Sequence, residues 1–483
     1  MFEALDFLQA SPTIRNYLFP LHNKQDKNLQ ISEFARSNPF NLFNTSIAKN
    51  VDQLQAIKQI VAGPNTLGPY IVFGPPGTGK TTTIVEAILQ LCLLNDTRII
   101  VTAGSNSACD AIALRICECI EADARFRYDR ESPNRVLLRL FSETRKREED
   151  LNLVHPLVLK NSNLEFVKTS SRSNSYRIIV ATLCKVGIMA RIGGTGNVTH
   201  VFIDEAAASS EPESLLAIVR IKESNKCHVI LSGDPKQLGP VIQSRRASSL
   251  GLGQSLMERL MASELYKVHD GGKYDCTLQT RLRRNYRSHP EIVRLFNKLY
   301  YNNDLIALAP SQRINQTANW PMLRNSKFPI LFQATYGITN RHPLSFSSYN
   351  ELEAEVVCWY VSILLHNGLG NGVKVKQADI GVITPYLAQC ALLTHKFRER
   401  HQLKVKVGTV EKFQGHEKPI IIASLVSSFT GSDFVSDPRR LNVLISRPMS
   451  LLILIGNPHS LCQSEDIKFI IDQCHLHGHL FNV

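Results

Sequence analysis

Gly74-Pro75-Pro76-Gly77-Thr78-Gly79-Lys80-Thr81 fits the pattern G-x-x-x-x-G-K-[ST] of a phosphate-binding loop. The apolar run Pro69-Tyr70-Ile71-Val72-Phe73 before it reads as a buried strand. After it, Thr82-Thr83-Ile84-Val85-Glu86-Ala87-Ile88-Leu89 carries apolar residues at helical spacing. Strand, glycine-rich loop and helix form the context such a loop needs. Glycines let successive backbone N–H groups turn inward on phosphate oxygens, and the helix adds the positive end of its dipole. Lys80 is expected to reach the β and γ phosphates, and the Thr81 hydroxyl to hold Mg²⁺. The expected ligand is a nucleoside triphosphate, against the plainer reading of a glycine-rich turn with no ligand.

The chain has 483 residues, too many for one ordinary domain, and its 43% hydrophobic content is that of a protein with real cores. The net charge of +13 suits a polyanionic partner, nucleic acid or a membrane surface. No apolar run approaches the ~20 residues of a membrane span. Glu3 and Asp6 stand where a secretory signal would be basic, so none is expected. The eleven cysteines are scattered, and Cys117 and Cys119, the closest pair, do not make a zinc pattern. Reduced thiols in a cytosolic or nuclear setting are expected.

Residues 1–49 are weakly patterned and read as a short N-terminal extension of unassigned fold, with Leu29–Phe43 read as a short helix followed by an Asn/Pro-rich connection. From Asn50, an N-cap candidate, strands and helices alternate. Arg98–Ala103, Arg177–Thr182, His200–Glu205 and Cys227–Asp234 read as strands. The rhythm breaks over about 122–172, read as an insertion whose charge run, Arg145 to Asp150, is a solvated helix face or a polyanion contact. Residues 50–270 form one expected domain and 271–483 a second. The second has candidate strands at 330–333, 380–384, 407–410, 420–424 and 451–456, and no phosphate loop. Near-continuous apolar strands alternating with helices mean an α/β fold of parallel sheets flanked by helices.

Carboxylates and arginines complete the chemistry. Asp204-Glu205 leaves a buried strand. In phosphate-loop enzymes such an Asp completes the Mg²⁺ shell, and a carboxylate beside it can act as base toward water. Gln237, in Gly233-Asp234-Pro235-Lys236-Gln237-Leu238, can orient a water and sense a γ-phosphate. Arg287 and Arg447 are candidates for stabilising charge on the transferred phosphoryl group.

The ordered set resembles a superfamily 1 helicase. It comprises Gln53, Gly74–Thr81, Ala103-Gly104-Ser105-Asn106, Asp204-Glu205-Ala206, Gly233–Pro240, Asn285-Tyr286-Arg287-Ser288-His289-Pro290, Thr384-Pro385-Tyr386, Gly408–Glu417 and Leu441–Arg447. Within that superfamily the set is similar to the up-frameshift group of RNA helicases. Asn50-x-x-Gln53-Leu54-Gln55-Ala56, Glu211-Pro212-Glu213-Ser214-Leu215 and Ile455-Gly456-Asn457-Pro458 resemble the Armitage and Moloney-leukaemia-virus-ten type. The resemblance covers about residues 50–460.

It implies two tandem RecA-like domains closing on ATP and Mg²⁺ and stepping 5′ to 3′ along single-stranded RNA. It further implies that Gln53 reads adenine, Tyr286 stacks on the base and Glu417 holds the ribose. Gly74, Gly77, Thr78, Gly79, Lys80, Thr81 and Thr82 bind the nucleotide, and Thr81 with Asp204 holds the metal. Gln237, Arg287 and Arg447 line the γ-phosphate. Ser105, Asn106, Thr182, Thr384, Pro385 and Thr409 fall where the family contacts the nucleic-acid backbone. The expected setting is RNA silencing or messenger-RNA turnover, in cytoplasmic ribonucleoprotein granules, with the nucleus open. A DNA or dual-specificity helicase, and an ATP-gated RNA clamp without turnover, stay open as alternatives.

Four departures from the family pattern stand out. Ala208 replaces a usual Gln or His, Gly104 a usual Pro, and Pro448-Met449 a usual Ala-Lys after Arg447. The region before Gln53 is also short for the family. Proline is expected to end the preceding helix early and re-aim Arg447.

Overall fold

The computed structural model describes residues 1–20, 40–64, 67–94, 96–126, 136–141, 176–224, 227–370, 372–426 and 437–482. They form two compact units. The first comprises Met1–Gly74, Gly79–Pro235 and Gly239–Leu282; the second comprises Pro75–Thr78, Lys236–Leu238 and Arg283–Val483.

The first unit is built on a parallel sheet of β1 (Tyr70–Phe73), β2 (Ile99–Ala103), β3 (Leu137–Leu140), β4 (Ile178–Thr182), β5 (His200–Ile203), β6 (His228–Gly233) and β7 (Gln279–Arg281), in the order β3-β4-β2-β5-β6-β1-β7. Its central strands are buried at every position. This is why they read as unbroken apolar runs and not as alternating ones: both faces are covered by helices. Helices Val51–Ala62, Lys80–Cys92 and Asn106–Ala122 contribute Ile57, Ile60, Ile84, Ile88, Ile112 and Ile116 to the same core as Val72, Val101, Val180 and Ile230. Each fully buried Ile or Leu contributes about 1.5–3 kcal/mol. The strands therefore hold the unit together and leave the loops at their ends to be chosen for chemistry.

Two strands of this sheet were not legible in the sequence. β3 falls inside the stretch read as an insertion, and its Arg139 disguises it as surface. β7 is short and polar, Gln279-Thr280-Arg281, yet it pairs with β1. Residues 127–135 and 142–175, including the Arg145–Asp150 run, lie outside the described residues, as does most of Leu29–Phe43 with its expected short helix. Within the N-terminal extension, helices Phe2–Ala10 and Pro12–Leu18 belong to the first unit, where Arg259 Nη2 donates to Leu18 O at 3.0 Å. Residues 43 and 44 are tied to the buried Glu86 carboxylate, which accepts from both backbone N–H groups at 2.9 Å.

In the second unit, β8 (Arg284–Asn285) and β9 (Ile306–Ala307) form a small parallel pair. After β10 (Ile330–Ala334), β11 (Asn340–Arg341) and β12 (Ser348–Tyr349) form an antiparallel one. β13 (Ile380–Ile383), β14 (Lys406–Gly408), β15 (Lys418–Ser424), β16 (Pro448–Gly456) and β17 (Leu480–Asn482) follow. The main sheet runs β14-β13-β15-β16-β10-β17, all parallel. Helix Glu351–Asn367, capped by the Asn350 side chain on Glu353 N at 3.0 Å, packs Val357, Tyr360, Val361 and Leu364 with Trp320 and strand residues Val382, Ile422 and Ile453. No helix among the described residues is long and apolar enough to cross a membrane.

A titratable pair sits inside the first unit. His200 and His228 open β5 and β6, are register partners, and have ring centroids 5.8 Å apart. Burial holds them near pKa 4 and 3, with the two rings' mutual repulsion adding to the second shift. Both are therefore neutral in the folded protein. The unfolded chain takes up protons below about pH 6.5 and the folded one does not, so this stability is complete above that pH and is lost as pH falls toward 4. The slope is about 1.4 kcal/mol per pH unit for each ring. Chemical unfolding of wild type and His228→Phe between pH 7 and 4 should show the variant losing stability less steeply. Parallel curves would remove the histidines from the explanation.

Candidate nucleotide and nucleic-acid site

In the first unit, the neighbouring strands β5, β6 and β1 end together at Ile203, Gly233 and Phe73, with Phe73 paired to Gly233 and Ile203 to Leu231. The phosphate loop leaves β1 at that edge, and Asp204-Glu205 leaves β5. Gly74 N donates to Gly233 O at 3.1 Å, binding the loop's first residue to the next strand. Lys80 Nζ donates to Gly74 O at 2.6 Å, so the lysine folds back over the loop it follows. Lys80 opens the helix Lys80–Cys92, whose N-cap is Gly79 in the left-handed conformation, φ 82°. Gln53, near the start of helix Val51–Ala62, donates to Gly79 O at 3.3 Å and to Thr83 Oγ1 at 3.0 Å. The amide expected to read a base thus lies against the loop.

Asp204 is buried. Its Oδ1 accepts from Ser232 Oγ and Glu205 N, each at 3.0 Å. Burial, then the neighbouring Glu205 charge, push its carboxyl up to about 6, while Lys80 pulls it down. A dehydrated carboxylate with a second one beside it is an oxygen donor set that a divalent cation would satisfy. Thr81 is half-buried one residue after Lys80 and supplies a hydroxyl. Glu205 itself sits at φ 50°, a left-handed conformation uncommon for a non-glycine residue, and ones like it gather where function demands them.

The same sheet edge continues over β2 and β4, whose last residues Ala103 and Thr182 are register partners. Ser105 caps helix Asn106–Ala122 by accepting from Ala108 N at 3.1 Å. Ser105 is exposed, Asn106 half-buried and Thr182 buried. Gly104, the departure from proline, has a local reason: a Cβ there would lie 2.7 Å from the buried Ser209 Oγ.

In the second unit, the loop tips 75–78 and 236–238 meet residues from far along the chain. Asn285 Nδ2 donates to Pro76 O at 2.7 Å, and Tyr286 N to Gly77 O at 2.8 Å. Asn285 Oδ1 accepts from Arg287 N and Ser288 N. Arg287 pairs through Nε with Glu417 Oε2, and its Nη1 donates to Ser446 O at 3.2 Å. Burial pushes the Glu417 carboxyl up, but Arg287, with Arg313 and Arg447, outweighs this and holds it below its ordinary value. The residue expected at the γ-phosphate and the residue expected at the ribose are thus paired to each other.

Arg447 is buried. Its Nη2 donates to Gln237 Oε1 at 2.9 Å and to Ser446 Oγ at 2.9 Å, and its Nε to Val443 O at 2.9 Å. Helix Pro438–Ile445 ends two residues before Arg447, and Pro448 opens β16. The helix stops short of Pro448, and the Arg447 guanidinium reaches Gln237. Thr384 and Thr409 follow β13 and β14, and Thr384 N donates to the O of Gly408, the residue before Thr409, at 3.2 Å. Both threonines are buried. The Thr384 hydroxyl has no hydrogen-bond partner among the described residues, and Pro385 is the more open of the pair.

Ser232 and Arg313 escaped the sequence reading, and Asn285 entered it only as part of its motif, without this role. Ser232 reaches Asp204, Asn285 ties the phosphate loop, and Arg313 donates through Nη2 to the backbone oxygens of Tyr286 and Arg287. The alternation of strand and loop could have suggested Ser232. Nothing local points to Arg313, 26 residues from Arg287.

Gly77 has φ 70°, and a Cβ on it would lie 2.6 Å from Arg287 Cβ and 2.7 Å from Asn285 Nδ2. A left-handed non-glycine costs about 1–2 kcal/mol before any clash. Gly77→Ala should therefore weaken binding of a fluorescent ATP analogue about tenfold or more. Gly193→Ala, with φ 76° and open space around it, should bind as wild type. Equal affinity in both variants would sink the packing role of Gly77.

Two family models, each described as an AAA domain, match the chain. One matches at 48–175 and 158–245, the other at 252–459. The chain is 37% identical to the human RNA helicase Mov10l1 over 429 residues, 85% of this chain and 34% of that protein. It is 36% identical to the mouse RNA helicase Mov10l1, with the same shares. It is 31% identical over 466 residues to the regulator of nonsense transcripts 1 homolog of Neurospora crassa, 90% of this chain and 40% of that protein. The chain therefore spans less than half the length of these relatives. By these matches and by its ordered motifs, the chain belongs to the up-frameshift-like group of superfamily 1 helicases.

Proposed function

We propose that this chain is an ATP-dependent motor on single-stranded RNA, acting as a helicase or ribonucleoprotein remodeller. One observation carries the reading above the others. A single strand edge of the first unit bears the phosphate loop and Asp204-Glu205 on β5, β6 and β1, and the candidate backbone contacts Ser105, Asn106 and Thr182 on β2 and β4. Nucleotide chemistry and polymer contact thus rest on adjacent strands of one rigid sheet. The relatives named RNA helicases support RNA over DNA.

The loop N–H groups and Lys80 bind the phosphates of ATP, and Gln53 faces the base. Thr81 and Asp204 fit Mg²⁺, which when bound supplies charge neutralisation on the phosphates. Glu205 accepts a proton from the attacking water. Gln237 orients that water, and Arg447 and Arg287 stabilise the developing phosphoryl charge. Arg287 must leave Glu417 to do so, which frees the carboxylate for the ribose. The net charge of +13 favours binding to a phosphate backbone without sequence preference. All eleven cysteines are free, as befits the cytoplasmic ribonucleoprotein setting proposed with this reading.

ATP turnover measured with and without single-stranded RNA or DNA tests the proposal. Turnover should rise with RNA, more than with DNA, and disappear in Lys80→Ala. RNA binding without turnover would replace the motor by a clamp. DNA preference would replace the substrate. Arg447→Ala should lower kcat by about two to three orders of magnitude while ATP affinity stays within a few-fold. Unchanged kcat would exclude its role at the phosphoryl group.

A further inference from the structure

Arg139 is a fully buried arginine on the edge strand β3, with none of its side chain exposed. Taking a guanidinium out of water costs several kcal/mol unless its donors are used. Here they are used in a directed way. Nε donates to Asp110 Oδ1 at 2.9 Å, and Nη1 to Leu140 O. Nη2 donates to Asn106 Oδ1 at 3.0 Å and lies 3.4 Å from Asn106 O. The guanidinium carbon stands 5.0 Å from the centre of the Phe141 ring. Asp110 alone would suffice as a counter-ion, yet one arm of the fork is given to the side chain and backbone of Asn106.

Asn106 is the first residue of helix Asn106–Ala122, directly after the cap Ser105. We infer that Arg139 is a positioning residue for nucleic-acid binding: it sets the orientation of Asn106 and of the first turn of that helix toward a phosphate of the bound strand. The inference rests on the proposed function, in which Ser105 and Asn106 meet that strand. Three physical effects act together. A donor on Oδ1 fixes which end of the amide is which, so the N–H₂ end points away from Arg139, and an N–H donor suits a phosphate oxygen. The planar fork holds Asn106 and Asp110, one turn apart, at once, and a lysine has no such geometry. The arginine charge also offsets Asp110, whose carboxylate would otherwise repel a phosphate at that helix end. The residue touches no substrate; it acts through Asn106.

The experiment is fluorescence anisotropy with a labelled oligouridine on the full chain, beside binding of a fluorescent ATP analogue. Arg139→Lys should weaken RNA binding five- to twentyfold and leave the ATP analogue within twofold. Asn106→Ala should give a similar loss, and the double variant should be no weaker than the worse single one, because both remove one interaction. Wild-type RNA affinity in Arg139→Lys, or losses that multiply in the double variant, would overturn the inference. Arg139→Met with Asp110→Leu guards against misfolding, since an apolar pair replaces the buried ion pair at little cost in stability. It should still lose at least fivefold in RNA affinity, and RNA binding at wild-type strength would overturn the role equally. If wild type binds no RNA, the proposed function falls and takes this inference with it. If wild type binds and the variants bind as well, the positioning role alone falls.

Discussion

Burial of the parallel strands on both faces is the constraint on which the rest depends. A strand covered by helices on each side meets its backbone hydrogen bonds sideways, from its neighbours, and favours apolar side chains along most of its length. Polar groups with work to do are pushed to the strand ends. In the first unit β1, β2, β4, β5 and β6 deliver Gly74, Gly104, Leu183, Asp204 and Asp234 at the same edge. Helices start there too, so the edge carries oriented N–H groups as well as side chains. A sheet that cannot bend gives these loops a fixed spacing, and any chemistry needing several groups at once gains from that.

Where charge enters the interior, it is compensated locally. Asp204 has Ser232 and the Glu205 N–H, and Arg447 has Gln237, Ser446 and Val443. Arg139 has Asp110 and Asn106. Glu353 in the second unit follows the same rule. It accepts from Ser424 Oγ at 2.7 Å and Val426 N at 3.0 Å, and Gln389 donates to the same Ser424 hydroxyl. Burial nevertheless pushes its carboxyl up to about 7. Such groups are costly to strand, so each removes alternative arrangements of the loops it holds.

Much of the site was legible because its residues are chosen by local rules. A phosphate loop needs glycine where φ is positive, and Gly77 and Gly79 stand at 70° and 82°. An aspartate after a buried strand announces itself by breaking an apolar run. Five of the six strands in the main sheet of the second half were legible for the same reason, within three residues at either end; β17 and the short pairs β8–β9 and β11–β12 were not. What the reading missed breaks the pattern: β3 hides an arginine inside a sheet, β7 is polar and short, and Arg313 spends its hydrogen bonds on distant backbone oxygens. A solvated surface and a buried polar network share one amino-acid vocabulary, and composition cannot separate them.

The sequence by itself determined what depends on neighbours along the chain: the phosphate loop and its flanks, the strand–helix alternation, the end of helix Pro438–Ile445 before Pro448, and the family. Tertiary structure alone decided which distant groups share a bond. Arg287 meets Glu417 across 130 residues, Arg447 meets Gln237 across 210, and Arg139 reaches back 33 to Asn106. The reason is physical. Backbone conformation is set within a few residues by sterics and hydrogen bonding, whereas a buried charge takes whichever partner the packed core brings within 3 Å or so of it.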